Sequence, residues 1–258
     1  MRKLLIVIAS MLLFSGAGAE DREIAGIFLR HGVAGTMVIS SLHDGTTFIH
    51  DDVRAFRRLP AASTFKILNT LIALEERAVA GKDEVIRWDG HRYDFPDWNR
   101  DQTLESAFRV SCVWCYQELA RRVGAGTYRE YIGKCSYGEL VEPFDGTRFW
   151  LDGSLRISAI EQVEFLRKVY KQELPFSPAS FETLREIMVV GKTSAYTLRA
   201  KTGWDAGSIR QTGWYVGYVE TVDNVWFFAT NLDIRNATEL PLRQELTREA
   251  LQAKGIID

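Results

Sequence analysis

Histidine, proline and cysteine are all scarce in this chain of 258 residues. His31, His43, His50 and His91 are scattered and fit neither a catalytic triad nor metal-ligand spacing. Six prolines and 20 glycines leave no low-complexity linker to divide the chain. No segment recurs at the periods of solenoids or propellers. Lys and Arg (32) nearly balance Asp and Glu (34), for a formal net charge of −2. Proteins that grip nucleic acid are usually basic, so no nucleic-acid partner is expected. Beyond Phe14, no apolar run approaches the ~20 residues that cross a bilayer. Cys112, Cys115 and Cys135 are the only cysteines, so at least one is unpaired within a monomer. Without further clustered Cys or His, no zinc site is expected.

What is present is ordinary globular composition, 46 % hydrophobic and 26 % charged, with length for one large core or two lobes. The N-terminus stands apart. Arg2 and Lys3 precede an almost unbroken apolar run, Leu4 to Phe14, and Ala17-Gly18-Ala19 supplies the small residues that a signal peptidase reads. The run is too short to span a bilayer, so residues 1–19 are expected to be a signal peptide cut near Ala19 rather than a retained anchor. Cleavage leaves 239 residues of net charge −4, an exported, soluble protein with no membrane attachment.

Gly35 to His50 alternates apolar and polar residues around His43-Asp44-Gly45, which predicts a β-hairpin. From about Thr64, Phe65, Ile67, Leu68, Leu71, Ile72 and Leu74 recur at helical spacing. They cover more than one stripe, so this helix is expected to be central and buried. A loop rich in Trp, Asp and Gly spans 81–100. Leu104 to Val110 reads helical, and Val113, Tyr116, Leu119, Ala120 and Val123 give another helical stripe that stops at Gly124. Thr127 with Glu130 and Ser158 with Glu161 have capping-box spacing; Ser177-Pro178 reads as an N-cap followed by proline. Strands return at Tyr196 to Thr202, Trp214 to Val219 and Asn224 to Leu232, the last two joined by a turn at Glu220-Thr221-Val222-Asp223. A final helix runs from about Pro241 to Lys254 and ends at Gly255. Strands at both ends with helices between them predict a mixed α/β (α+β) fold: a largely antiparallel sheet flanked by helices, with a mostly helical lobe inserted between its halves.

Cys112-Val-Trp-Cys115 has the spacing of a thiol–disulfide motif. That motif opens a helix after a strand, and the segment before it here reads helical. The pair is therefore expected to be two small, half-buried side chains one helical turn apart.

Ser63-Thr64-Phe65-Lys66 begins the buried helix. Residues three apart share a helical face, so hydroxyl and amine can meet. A serine hydroxyl is a weak nucleophile until a base takes its proton. A lysine serves as that base only if its pKa falls, and apolar surroundings lower it by disfavouring the ammonium form. The helix N-terminus adds partial positive charge where an oxyanion would develop. Alone, Ser-x-x-Lys is a weak signal. Ser111-Cys112-Val113, opening the next helical stripe, and Lys201-Thr202-Gly203, ending a strand pattern, complete the ordered set of penicillin-recognising serine enzymes. Gly203 permits close approach of a ligand to the backbone.

With these motifs and with Pro60-Ala61-Ala62-Ser63, Tyr137-Gly138, Phe149-Trp150-Leu151, Lys201-Thr202-Gly203-Trp204 and Leu240-Pro241-Leu242-Arg243, residues 20–258 resemble a class D serine β-lactamase over essentially their whole length. The resemblance implies the serine β-lactamase and penicillin-binding transpeptidase-like fold, a small-molecule β-lactam substrate (penicillins, and cephalosporins too), a periplasmic location, a monomer or homodimer, and no metal or organic cofactor. It also implies the site. Ser63 is the acylated nucleophile, and Lys66 carries a carbamate formed with carbon dioxide, which is the general base. Trp150 holds that carbamate through its N–H, with Val113 and Leu151 as an apolar screen. Ser111 and Lys201 relay protons. Thr202, Gly203 and Arg243 bind the substrate, Thr202 and Arg243 through its carboxylate. The backbone N–H groups of Ser63 and Trp204 form the oxyanion hole. Asp205 to Thr212 and the Trp88 to Asn99 loop are expected to set the width of the cleft.

Two positions depart from the family pattern. Glu139 follows Tyr137-Gly138 where an amide is usual, so a carboxylate there could reshape the loop or repel an anion. Cys112 stands where a hydroxyl residue is common. Two rivals share the acylation chemistry: a penicillin-binding transpeptidase, which releases the acyl-enzyme slowly, and a β-lactam sensor domain, a binding module that stays acylated. The compact expected mature chain without an anchor, and Trp150, favour the hydrolase.

Overall fold

The structure is a computed structural model describing residues 20–258; the signal peptide expected over 1–19 lies outside the described residues. A six-stranded antiparallel sheet organises the chain. Strands β1 (Gly35–Ser41) and β2 (Thr47–His50) are the expected hairpin, turned at Asp44, whose carboxylate accepts the Thr46 N–H at 3.0 Å. The remaining strands come from the other end of the chain: β3 (Val189–Lys192), β4 (Tyr196–Asp205), β5 (Gln211–Thr221) and β6 (Val225–Ile234). The order across the sheet is β2-β1-β6-β5-β4-β3. β1 lies against β6 with Gly35 opposite Leu232 and Ser41 opposite Trp226, so the two chain ends meet in the middle of the sheet.

A helix not expected from the patterning, α1 (Arg22–His31), precedes β1. Asp21 caps it by accepting the Ile24 N–H, and Gly32 ends it with φ +62. It buries Ile24, Ile27 and Phe28 with Tyr215, Phe228, Leu246 and Leu251 on one face of the sheet. The other face meets the larger cluster, in which Trp214, Tyr218 and Phe227 of the sheet join Phe65, Leu68 and Leu71. Burying each such side chain contributes about 1.5–3 kcal/mol.

Between the sheet halves lies the helical lobe. A single 3₁₀ turn (Ala62–Phe65) leads into α2 (Lys66–Glu75), buried on every side from Lys66 to Ala73, as its continuous apolar pattern predicts. Then come α3 (Leu104–Arg109), α4 (Val113–Val123), α5 (Ala125–Cys135), α6 (Ala159–Tyr170) and α7 (Pro178–Ile187); α8 (Leu242–Ala253) closes the chain and packs beside α1. The capping box at Ser158 and Glu161 is present, and Ser177 caps α7 ahead of Pro178. The one expected at Thr127 and Glu130 is not: Gly124 turns the chain directly into α5, which leaves Thr127 already inside the first turn.

The expectation for the cysteines is overturned. Cys112 and Cys115 are joined by a disulfide, and both are fully buried rather than half-buried. Helix α3 does precede the motif, as its pattern predicts, but a two-residue spacing across a helix start brings the sulfurs into bonding range with a helix rather than a strand directly before it. Cys135 is the free, buried thiol, and burial pushes its pKa up to about 12.

Candidate active site

Lys66 is the first residue of α2 and Ser63 lies in the 3₁₀ turn before it, so their three-residue spacing puts both side chains on one face. Lys66 Nζ stands 2.7 Å from Ser63 Oγ. The amine is fully buried, with Nζ 5.2 Å from the centroid of the Tyr116 ring. Desolvation brings its pKa down from 10.5 to about 7, so a large share is uncharged at neutral pH. Ala62, just before the serine, holds φ +47, a conformation that persists only when its surroundings impose it.

Those surroundings come from three directions. The Trp214 indole N–H of β5 donates to Pro60 O at 2.9 Å. Thr64 Oγ1 donates to Ala61 O at 2.6 Å and accepts from Gln162 Nε2 of α6 at 2.7 Å. The third is β4 itself. Its neighbour β3 pairs only with Thr197 to Arg199, and the serine turn packs against the strand beyond. A Cβ on Gly203 would lie 3.0 Å from Thr64 Cγ2, 3.2 Å from Trp214 Cβ and 3.3 Å from the Thr64 backbone nitrogen. Glycine is what lets serine turn and strand approach so closely.

Lys201, on β4, donates to Ser111 Oγ at 3.0 Å and to Thr202 O at 2.8 Å. Burial, then the charges of Lys66 and Arg243, hold its pKa well below the usual lysine value. Ser111 lies between α3 and α4 with φ +57. Arg243 reaches in from α8 and donates from Nη1 to Gly203 O at 2.6 Å. Burial lowers its pKa to about 10, which leaves it cationic at neutral pH.

Ser63, Ser111, Val113, Leu151, Thr202, Gly203, Trp204 and Arg243 line one cleft of about 470 Å³. Lys66, Lys201 and Trp150 are buried rather than lining it. Trp150 stacks on Phe65 at 5.8 Å and meets Phe149 edge-on at 4.9 Å, and its indole N–H is buried with no hydrogen-bond partner among the described residues. An unmet buried donor costs about 1–3 kcal/mol, so this N–H marks a place for an acceptor. The mouth of the cleft is formed by Phe95 and Trp98 from one loop and by Ala206 and Gly207 from another, both within the segments expected to set its width. Trp98 is pinned to the α3–α4 turn: its indole N–H donates to Val110 O at 3.0 Å, and its carbonyl accepts from the Trp114 indole at 2.9 Å. Arg109 and Leu240 also line the cleft; Leu240 belongs to the matched stretch before Arg243 without a role assigned to it, and no motif or spacing in the sequence marks Arg109. Glu139 does not line it; its carboxylate faces Arg58 at 3.4 Å, and Arg58 is held by Glu161 at 2.6 Å.

Among the described residues, no group of three or more His, Cys, Asp or Glu is placed to hold a metal, and no helix is long and apolar enough to cross a membrane. Residues 50–252 match the penicillin binding protein transpeptidase domain, so the serine–lysine cleft belongs to the class of penicillin-recognising serine enzymes. Within that class the relatives are more particular. The chain is 40 % identical to β-lactamase OXA-48 of Klebsiella pneumoniae over 92 % of its own length and 90 % of that protein's. It superposes on the class D β-lactamase FUS-1 (OXA-85) of Fusobacterium nucleatum subsp. polymorphum with a TM-score of 0.90 and 36 % identity, covering 93 % of this chain and all of that one. A class D β-lactamase from Nostoc, YbXI, gives a TM-score of 0.88 at 39 % identity, covering 90 % and 98 % of the two chains. The chain belongs to the class D β-lactamases, serine hydrolases of β-lactams.

Proposed function

We propose that this protein hydrolyses penicillins, and cephalosporins with them, through an acyl-enzyme on Ser63, and so confers resistance to those antibiotics. The observation that carries the reading is the fully buried Lys66 amine 2.7 Å from the Ser63 hydroxyl. An uncharged lysine reacts with carbon dioxide, and the orphaned N–H of Trp150 is a donor suited to the resulting anion. When formed, that carbamate supplies the general base for proton transfer. Val113 and Leu151 cover the pocket with apolar surface and keep bulk water from it.

Arg243 and Thr202 bind the substrate carboxylate beside Gly203, which sets the lactam carbonyl against the serine. Ser63 Oγ then gives up its proton to the base at Lys66 and bonds to the carbonyl carbon while the backbone N–H groups of Ser63 and Trp204 hold the oxyanion; losing one such donor costs about 3–4 kcal/mol of barrier. As the ring C–N bond breaks, the Lys201–Ser111 pair delivers a proton to the leaving nitrogen. Water then cleaves the ester and frees Ser63. No metal takes part in this scheme. Residues 20–258 act as one catalytic domain whose sheet comes from both chain ends, and residues 1–19 direct it to the periplasm.

Excess chromogenic cephalosporin mixed with purified protein tests the reading. Many turnovers per enzyme are expected. Consumption of one equivalent followed by silence would identify a transpeptidase or a sensor instead.

A further inference from the structure

The Cys112–Cys115 disulfide adjoins two residues that line the cleft, Ser111 immediately before it and Val113 within it. We propose that this bond is a positioning element of the catalytic site, fixing the turn that presents Ser111 to Lys201 and Val113 to the cleft. The proposal rests on the roles given above to those two residues.

Ser111 occupies the left-handed region at φ +57, which costs free energy unless neighbouring structure enforces it. On its N-terminal side that enforcement is ordinary hydrogen bonding: Ser111 N–H donates to Phe108 O at 3.2 Å, and Cys112 N–H to Ala107 O at 2.9 Å. On the C-terminal side, Cys112 is the N-cap of α4, and its Sγ accepts the Cys115 N–H at 3.3 Å. Sulfur is a weak acceptor, so such a cap alone holds a helix start loosely. The covalent bond makes good that weakness and fixes the two Cα atoms 5.5 Å apart.

The size of the loop supports a local purpose. A cross-link between residues three apart removes little freedom from the unfolded chain, because loop-closure entropy grows with the length enclosed. Its effect therefore falls on the turn itself. Both cysteines are fully buried, which denies a partner thiol the access that exchange chemistry needs. The same turn also anchors the cleft mouth through the Trp98 indole N–H to Val110 O and the Trp114 indole N–H to Trp98 O, so loosening it would disturb Ser111 and the mouth together.

The test uses the mature enzyme in three parts. Alkylation of denatured, unreduced protein is expected to label one thiol, Cys135; labelling of all three would remove the bond and the proposal with it. Single-turnover acylation by a penicillin is then compared between the parent, Cys112→Ala/Cys115→Ala and Cys112→Ser/Cys115→Ala. The second variant restores a strong capping oxygen without the cross-link. Acylation at saturating penicillin is expected to slow about tenfold or more in both, with non-covalent affinity changed less than twofold. Leu119→Ala, which empties a buried position of the same helix, is expected to lower Tm yet acylate at the parental rate. Parental rates in both double variants, recovery in Cys112→Ser/Cys115→Ala alone, or equal slowing in Leu119→Ala would each overturn the role. A parent that forms no adduct at all would instead sink the assigned reaction, and this role with it.

Discussion

Lys66 Nζ lies 2.7 Å from Ser63 Oγ with both groups withdrawn from water, the lysine completely and the serine all but 9 %. Ser63→Ala removes the hydroxyl and little packing. Turnover of a chromogenic cephalosporin is expected to fall by about 10⁴-fold or more, with Tm within a few degrees of the parent and no covalent penicillin adduct in the mass spectrum. Retained turnover would take bond-making away from Ser63.

Activity is expected to depend on pH through the same lysine. With a pKa of about 7, the uncharged fraction of Lys66 drops by about tenfold between pH 8 and pH 6. Only the uncharged amine reacts with carbon dioxide, so activity in bicarbonate-free buffer should decline as pH falls through 7. Added bicarbonate should restore it by mass action. An enzyme indifferent to bicarbonate at pH 6 would exclude the carbamate.

Lys66 also burdens the fold, and the sign is definite. Its folded pKa is lowered from 10.5 to about 7, so in that window the unfolded chain binds the extra proton and stability rises with pH. The cost is fully present at and below pH 7, at about 4–5 kcal/mol, and disappears as pH approaches 10.5. In bicarbonate-free buffer, Lys66→Met should therefore melt several degrees above the parent at pH 6 and lose that advantage by pH 10. Equal melting curves across the range would show that the lysine is not desolvated.

Trp150→Phe keeps a ring against Phe65 and Phe149 but deletes the unmet N–H. One hydrogen bond to a charged group contributes about 1.5–3 kcal/mol, so deacylation should slow about 10- to 100-fold while acylation changes less. The acyl-enzyme should then accumulate in quenched samples. Equal loss in both steps would mean that the indole only packs.

Much of this was legible in the sequence because its physics is local. The hairpin at Asp44 and Gly45, the apolar surface of α2 and the Ser63–Lys66 spacing are each set by residues close together in the chain. The resemblance to class D enzymes supplied Trp150 and Arg243, which no spacing rule connects to Ser63. What stayed hidden depends on distant contacts or on competing local signals. Helix α1 is amphipathic over ten residues but directly follows the leader pattern. Thr127 and Glu130 have the right spacing, yet Gly124 starts α5 first. Arg109 reaches the cleft only because the end of α3 converges there with β4 and the segment leading into α8. The spacing of the cysteine pair does not by itself distinguish a redox motif after a strand from a structural bond, which needs only two cysteines one turn apart at a helix start.

The meeting of β1 with β6 bears on how the protein is made. Gly35 finds its partner Leu232 only after about 200 further residues, so the centre of the sheet is among the most non-local contacts the chain forms, and such pairings fold slowly. A ribosome must release nearly the whole polypeptide before β1 can dock. Until then β1 has a strand beside it on the β2 side alone.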